Sequence, residues 1–437
     1  MKICFLGAGS TIFAKNVLGD CILTPQFTDL DIALYDIDEK RLEDSYLMLT
    51  CLAKKYKPSV KIKKYTDRKE SLRGADFVVN AIQVGGYEPC TVTDFEIPKK
   101  YGLRQTIGDT LGIGGIFRAL RTLPVMEEFA DDMSRVCPRA YFLNYVNPMA
   151  ILTGYMQKYT GIKTVGLCHS VQVCVPWLFD SIGMSDKTEE AGYKIAGINH
   201  QAWLLEISDK NGNDLYPEIK KRAKEEKYRV GSAKNDLVRF EIMDRFGYYN
   251  TESSEHMAEY SPYFIKNRYP ELIERFNIPL DEYPRRCIKQ IADWEKQRKE
   301  LVGNEQIEHV KSREYAADII KAMVTDTPYK INGNVLNDGL IDNLPREACV
   351  EVPCLIDRSG ISPCHIGKLP EQLAALNRTN INVQLMTINA YLTKKKEDVY
   401  MAAYLDPHTS SELSMDEIKR MCDELIEAHG KWLPQMH

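Results

Sequence analysis

The chain has 437 residues, 44% of them hydrophobic, enough to bury the cores of two domains or of one large elaborated domain. Its 57 Lys and Arg against 62 Asp and Glu leave a formal net charge of −5, and no basic stripe is interleaved with aromatics, so nucleic acid is not an expected partner. The start MKICFLGAG holds too short an apolar run for a signal peptide, and no later run approaches a membrane span, so a cytoplasmic protein without a membrane partner is expected.

In chain order, KICFLGAGST reads as an apolar strand running into a glycine turn, NVLGDCIL as helical, and LDIALYDID as a second strand ending in acids. Together they make a βαβ unit. ADFVVNAI follows as a buried strand, RALRTLPVMEEFADDMSRVC as an amphipathic helix, AYFLNYV as a strand and TVGLC as one more. Strands alternating with helices predict an α/β fold with a Rossmann-type, doubly wound parallel sheet, whose ligands gather at the carboxyl ends of the strands. Composition shifts near AGYKIAGINH, which places a boundary at residue 190. Residues 1–190 are then a nucleotide-binding domain and 191–437 an α+β domain that completes the substrate pocket. In the second part LEISDKNGNDLYPEI reads as a hairpin followed by charged helices. The 12 cysteines are scattered and form no C-x-x-C pair, so most are expected to be buried, reduced thiols rather than a disulfide or zinc framework.

Chemistry-bearing residues fall at the predicted strand ends. In GAGST, Gly7 and Gly9 allow a tight turn and close approach of backbone N–H groups to a pyrophosphate, with Ser10 and Thr11 heading the next helix. Ile12 stands where the full fingerprint has a third glycine. Asp36, ending the second strand, can accept hydrogen bonds from an adenosine ribose, the role that favours NAD. The stretch GDTLGIGGIFRALRTLP is a glycine-rich loop at a helix start with Asp109 as its only carboxylate; it lacks the ending of a Walker loop. In FLNYVNPMA, Asn144 and Asn147 offer amides that both donate to and accept from hydroxyls.

Cys168 in VGLCHS and His200 in GINHQAW each close an apolar run, and could meet at one rim as half of a divalent-metal shell; a buried thiol and a hydrogen-bonded imidazole are the alternative. The segment YYNTESSEHMAEYSPYF mixes tyrosines, glutamates and a histidine, and makes Glu255, His256, Glu259 and Tyr260 candidate acid–base groups.

The ordered set FLGAGST, QVGGYEP, TLGIGGIFRALRT, NYVNPMA, VGLCHS and GINH resembles the family 4 glycoside hydrolases, and TESSEH, DEYP, NDGLIDNLP and TNINVQ resemble their α-galactosidase members. The resemblance spans essentially the whole chain. It implies a lactate/malate dehydrogenase-like fold, bound NAD and a divalent metal, Mn²⁺ above others. It also implies a hydrolysis in which NAD⁺ takes a hydride from C3, a base removes the C2 proton, the C1 oxygen leaves by elimination, water adds and the hydride returns. By motif, Cys168 and His200 match the metal ligands, Gly7, Gly9 and Asp36 the NAD site, and Asn147 a contact to substrate hydroxyls. Asp109 matches a residue that raises the basicity of the catalytic tyrosine, for which Tyr260 is chosen, and Arg285 or Arg286 matches a substrate contact. His169 stands where members acting on 6-phosphorylated sugars carry Asp or Asn, and EPCTVTD lacks their arginine, so a small unphosphorylated α-galactoside is the implied substrate. Val173 replaces the glycine usual in CHSVQG, a departure that bears on which sugar is accommodated. A homodimer or homotetramer is implied. The competing expectations are a family member acting on an α-galacturonide, α-glucuronide or α-glucoside, a 2-hydroxyacid dehydrogenase, and an NAD-binding sensor.

Overall fold

The computed structural model of the chain describes residues 1–228 and 236–437. Six strands, β1 (Lys2–Leu6), β2 (Asp31–Tyr35), β3 (Lys61–Tyr65), β4 (Phe77–Asn80), β5 (Tyr141–Asn144) and β6 (Thr164–Gly166), pair in parallel in the order β3-β2-β1-β4-β5-β6. That order reverses direction between β1 and β4, which opens the crevice where doubly wound sheets bind ligands. The central strands KICFL and FVVN are buried almost throughout, because helices cover both faces. At the edge, β3 has the sequence KIKKY and stays largely exposed, its lysines discouraging another strand from adding there.

Beyond β6 the same sheet turns antiparallel. β7 (Gly192–Ile198), β8 (Gln201–Ser208), β9 (Tyr249–Asn250), β10 (Tyr329–Leu336), β11 (Cys349–Asp357) and β12 (Gly360–Pro363) continue it as β6-β10-β11-β7-β8-β9, with β12 on β11. A single register pair, Gly166 with Asn334, joins the two halves. The fold is therefore an α/β doubly wound sheet with an α+β extension, and the sheet runs unbroken past residue 190.

One expected element differs. LEISDKNGNDLYPEI does turn back on itself, Ser208 bridging Asp214 antiparallel, but its return arm ends at Leu215 and the long hairpin is β7–β8, which turns at Asn199 and His200. After β8 the chain makes a tight loop held by the Asp209 carboxylate on the Asn211 and Asn213 N–H groups, then enters the helix Tyr216–Tyr228. The charged residues PEIKKRAKEEK favour that helix over a return strand.

The C-terminal helices come back to the first half. Helix Glu371–Thr393 packs beside the long helix Gly112–Val136 and helix Met415–His429 on helix Val92–Lys100, and a fully buried Arg121–Asp94 ion pair, at 2.6 and 3.1 Å, has His429 Nε2 2.9 Å from the same carboxylate. Removing one member of such a buried group leaves an uncompensated charge. At the start of helix Gly112–Val136 the glycines are there for space: a Cβ on Gly114 would meet the Gly108 carbonyl oxygen at 2.3 Å. The loop 106–110 thus folds tightly against the first turn of its own helix, beside the carboxyl ends of the parallel strands.

Candidate active site

The nucleotide side is built locally. Parallel register sets Leu6 beside Tyr35, so the turn after β1 faces the residue after β2. Gly7 has φ +85° and a Cβ there would strike the Ala81 carbonyl at 2.7 Å. Gly9 donates its N–H to Asp36 Oδ2 at 2.7 Å, and Asp38 N–H donates to Oδ1 at 2.9 Å. Ser10 is exposed at the head of helix Thr11–Leu23 and does not cap it with its side chain. Thr11 turns its hydroxyl inward, 2.9 Å from Ser45 Oγ, so only its backbone N–H remains to meet a ligand. Ile12 is partly exposed, and Ile37, beside Asp36, is 87% exposed, an apolar surface next to the carboxylate.

At the carboxyl edge the chain brings together groups from distant segments. Cys168 follows β6, His200 sits in the β7–β8 turn and Glu252 follows β9; their sulfur, nitrogen and oxygen ligand atoms all lie within 4.8 Å of one another. His200 Nε2 is 3.6 Å from Glu252 Oε2. His200 and Glu252 both adopt left-handed backbone, φ 61° and 66°, a conformation non-glycine residues take at a cost of order 1–3 kcal/mol each. Burial, then the Glu252 charge, pushes the Cys168 thiol up to about 12, against hydrogen bonding from Ser170. Burial alone would raise Glu252, but the pull of His200, His256 and Arg239 holds it below the usual carboxylate range. A thiol, an imidazole and a carboxylate converging on one point suit a divalent transition ion, with positions left for other oxygens.

The other nitrogen of His200, Nδ1, lies 2.9 Å from Tyr260 Oη, and the two rings are nearly parallel at 11°. Asp109 faces the same tyrosine. Asp109 Oδ1 accepts from the Thr110 hydroxyl at 2.6 Å and Oδ2 from Asn147 Nδ2 at 3.3 Å. Burial acts to raise Asp109, yet Arg118, His256, the Thr110 hydrogen bond and His200 together keep it low and therefore ionised. Tyr260 is held well above its ordinary value, by burial first and then by the charges of Asp109, Glu259 and Glu252. Arg118 donates to the Asn147 carbonyl at 3.2 Å and to the Tyr283 hydroxyl at 3.3 Å, closing this side.

The structure thus gathers Cys168, His200, Tyr260, Asp109 and Asn147 into one centre. His169 stands at its rim, between the rings of Tyr145 and Tyr315, with Nε2 2.7 Å from Glu314 Oε2. Arg285 and Arg286 lie outside the centre. Arg285 is tied to Glu282 and the Leu280 carbonyl, and Arg286 bonds Glu282 and Glu255, the latter in the Tyr260 segment. Asn144 is a buried structural group, linked to Asn80 and Thr153. Sequence reasoning missed Glu252, Thr110, Arg118 and Tyr283. The only signal for Glu252 was an acid inside a polar aromatic stretch, since its partners lie 52 and 84 positions upstream, at His200 and Cys168.

Fold and site define a class: a doubly wound α/β protein with a dinucleotide-type first turn and a partly buried Cys/His/Glu cradle beside a tyrosine. The chain belongs to the family 4 glycosyl hydrolases, whose family model matches residues 2–184 and whose C-terminal domain model matches residues 195–409. An α-galactosidase of Bacillus subtilis is 64% identical over 435 residues, 99% of each chain. A solved 6-phospho-α-glucosidase from gut microorganisms, in complex with NAD and Mn²⁺, is 22% identical with a TM-score of 0.83, over 100% of this chain and 99% of that one. The dehydrogenase likeness of the fold also holds. Malate dehydrogenase of Plasmodium falciparum superposes with a TM-score of 0.53 at 14% identity, over 90% of this chain and 99% of that one.

Proposed function

We propose that this protein hydrolyses α-galactosides with the help of NAD⁺ and a divalent cation, Mn²⁺ above others. The observation that carries the chemistry is Tyr260 Oη, set between the Cys168–His200–Glu252 cradle and Asp109; the sugar follows from the 64% identity with the Bacillus subtilis α-galactosidase. Residues 1–190 are the NAD-binding part and 191–437 the part that closes the substrate side. The glycine turn fits a pyrophosphate, since Gly7 and Gly9 leave no room for a Cβ, and Asp36 fits a ribose with the exposed Ile37 beside it for an adenine face. The three mixed donors fit a divalent cation, with Cys168 as thiolate, which calls for reducing, cytoplasm-like conditions. When bound, the dinucleotide would take and return a hydride at C3, and the cation would polarise the oxygens on C2 and C3.

The remaining work falls to the chain's own groups. Tyr260 Oη takes the C2 proton as a phenolate once C3 is at the ketone level; His200 Nδ1, 2.9 Å away, can donate to that phenolate, while burial and the neighbouring Asp109 carboxylate make it the more basic. Asn147 Nδ2, already on Asp109, can also reach a substrate hydroxyl, and Arg286, on helix Glu282–Leu301, bonds Glu255 of the Tyr260 segment. At the rim, the Glu314 carboxylate on His169 disfavours a phosphate there, which suits an unphosphorylated sugar. Association into a homodimer or homotetramer is supported by helix Glu282–Leu301, whose Ile288 and Ile291 are 55% and 59% exposed. The test is turnover of a nitrophenyl α-galactoside with NAD⁺, Mn²⁺ and dithiothreitol omitted in turn. Loss on each omission, without net NADH, is expected; activity surviving both EDTA and NAD⁺ removal would defeat the proposal.

A further inference from the structure

Three successive backbone N–H groups, of Thr106, Ile107 and Gly108, point at one spot. Gly108, at φ +58°, makes the curl possible. Such a nest is an anion cradle, and next to a helix start it would ordinarily receive a ligand's phosphate. Here it is filled from within. Glu259, 5% exposed, accepts all three on Oε1 at 2.5, 2.9 and 3.0 Å, with a further contact from Gly108 N to Oε2 at 3.2 Å. Thr106 adds a parallel tie, its hydroxyl donating to the Glu255 carbonyl at 2.9 Å.

The two sides of this contact are the chain neighbours of the two acid–base groups: Gly108 precedes Asp109 and Glu259 precedes Tyr260. We propose that Glu259 is a positioning residue whose carboxylate, by occupying the 106–108 nest, sets the separation of the Asp109 and Tyr260 oxygens. This rests on the roles assigned to Asp109 and Tyr260 above. The carboxylate is well suited to a clamp rather than to proton transfer, since the neighbours bonded to it, three backbone N–H groups and the Thr106 side chain, all belong to the loop it holds. Burial lifts it to about 7 and the three N–H bonds work against that rise, so the nest is what favours its charged form. Catalytic groups misplaced by about 1 Å lose on the order of 100-fold in rate, so a clamp of this kind acts on turnover more than on binding.

The test is Glu259→Gln in the full-length enzyme loaded with NAD⁺ and Mn²⁺, assayed on nitrophenyl α-galactoside and its C2-deuterated form. The expected result is kcat lower by about 100-fold, KM and the Kd values for NAD⁺ and Mn²⁺ within about 3-fold, and a larger C2 isotope effect. Glu259→Asp, which keeps the charge, should recover part of the loss. Wild-type kcat in Glu259→Gln, or kcat falling together with cofactor affinity, would overturn the proposal. Should Glu259→Gln fail to fold, Glu259→Asp is judged on the same split, with a smaller fall in kcat expected. Wild-type enzyme run alongside separates the two readings: no turnover there defeats the proposed function, whereas wild-type turnover with an unaffected variant defeats only the clamp.

Discussion

The two ends of the site are built differently. Gly7, Gly9, Ser10, Thr11 and Asp36 lie within 30 residues of one another and are brought together by one parallel strand pair, β1 on β2. Asp109, Cys168, His200, and Glu252 with Tyr260, come from four segments, and His200 and Glu252 rest on left-handed backbone in a turn and a loop. The first end is a local motif that the sheet positions without strain. The second is an assembly that only the complete fold holds in place, so its geometry is sensitive to changes away from the chemistry.

Substitutions in the assembled centre should therefore cost most. Tyr260→Phe removes the proposed base and is expected to lower kcat by about 10²–10⁴-fold while NAD⁺ affinity, measured by fluorescence titration, stays near wild type; an equal loss of NAD⁺ binding would erase the distinction between the two ends. Glu252→Gln should weaken Mn²⁺ binding by about 10–100-fold, read by paramagnetic resonance titration, with NAD⁺ affinity again unchanged. On the local side, Asp36→Ala removes the acceptor of the Gly9 N–H, and NAD⁺ Kd should rise by about 10-fold with kcat at saturating NAD⁺ nearly intact. The smallest effects belong to the periphery. Arg286→Ala, on the Glu255 side, should raise KM by a few-fold, on the order of one surface contact, and Arg285→Ala by less, because its guanidinium is committed to Glu282 and Leu280; the reverse order would place Arg285 in the pocket.

The same contrast explains what could be read before folding. Five strands of the parallel sheet, their ends and the glycine turn follow from apolar runs and short-range spacing and appear where the sequence puts them; the edge strand β3, KIKKY, has no apolar run to signal it. After β8 the chain reverses as expected but the return arm is short, because Gly212 and Asp214 signal a turn equally well before a strand or a helix and the helical propensity of residues 217–227 takes over. Cys168, His200, Asp109 and Asn147 were identifiable by motif, yet their meeting depends on the β7–β8 turn and on β9 beside β8. Glu252 and Arg118 carried no spacing signal at all. Glu259 stood out as an ionisable residue, but that it faces backbone N–H groups rather than substrate is a property of the 106–108 curl.

The proposed function requires that a group at this centre take one proton from C2 of the sugar. Hydrolysis of a nitrophenyl α-galactoside in D₂O, with NAD⁺ and Mn²⁺ present, tests it by mass spectrometry and proton resonance of the galactose formed. Deuterium at C2 of the product is predicted. Galactose that keeps its original hydrogen at C2 throughout turnover would contradict the account.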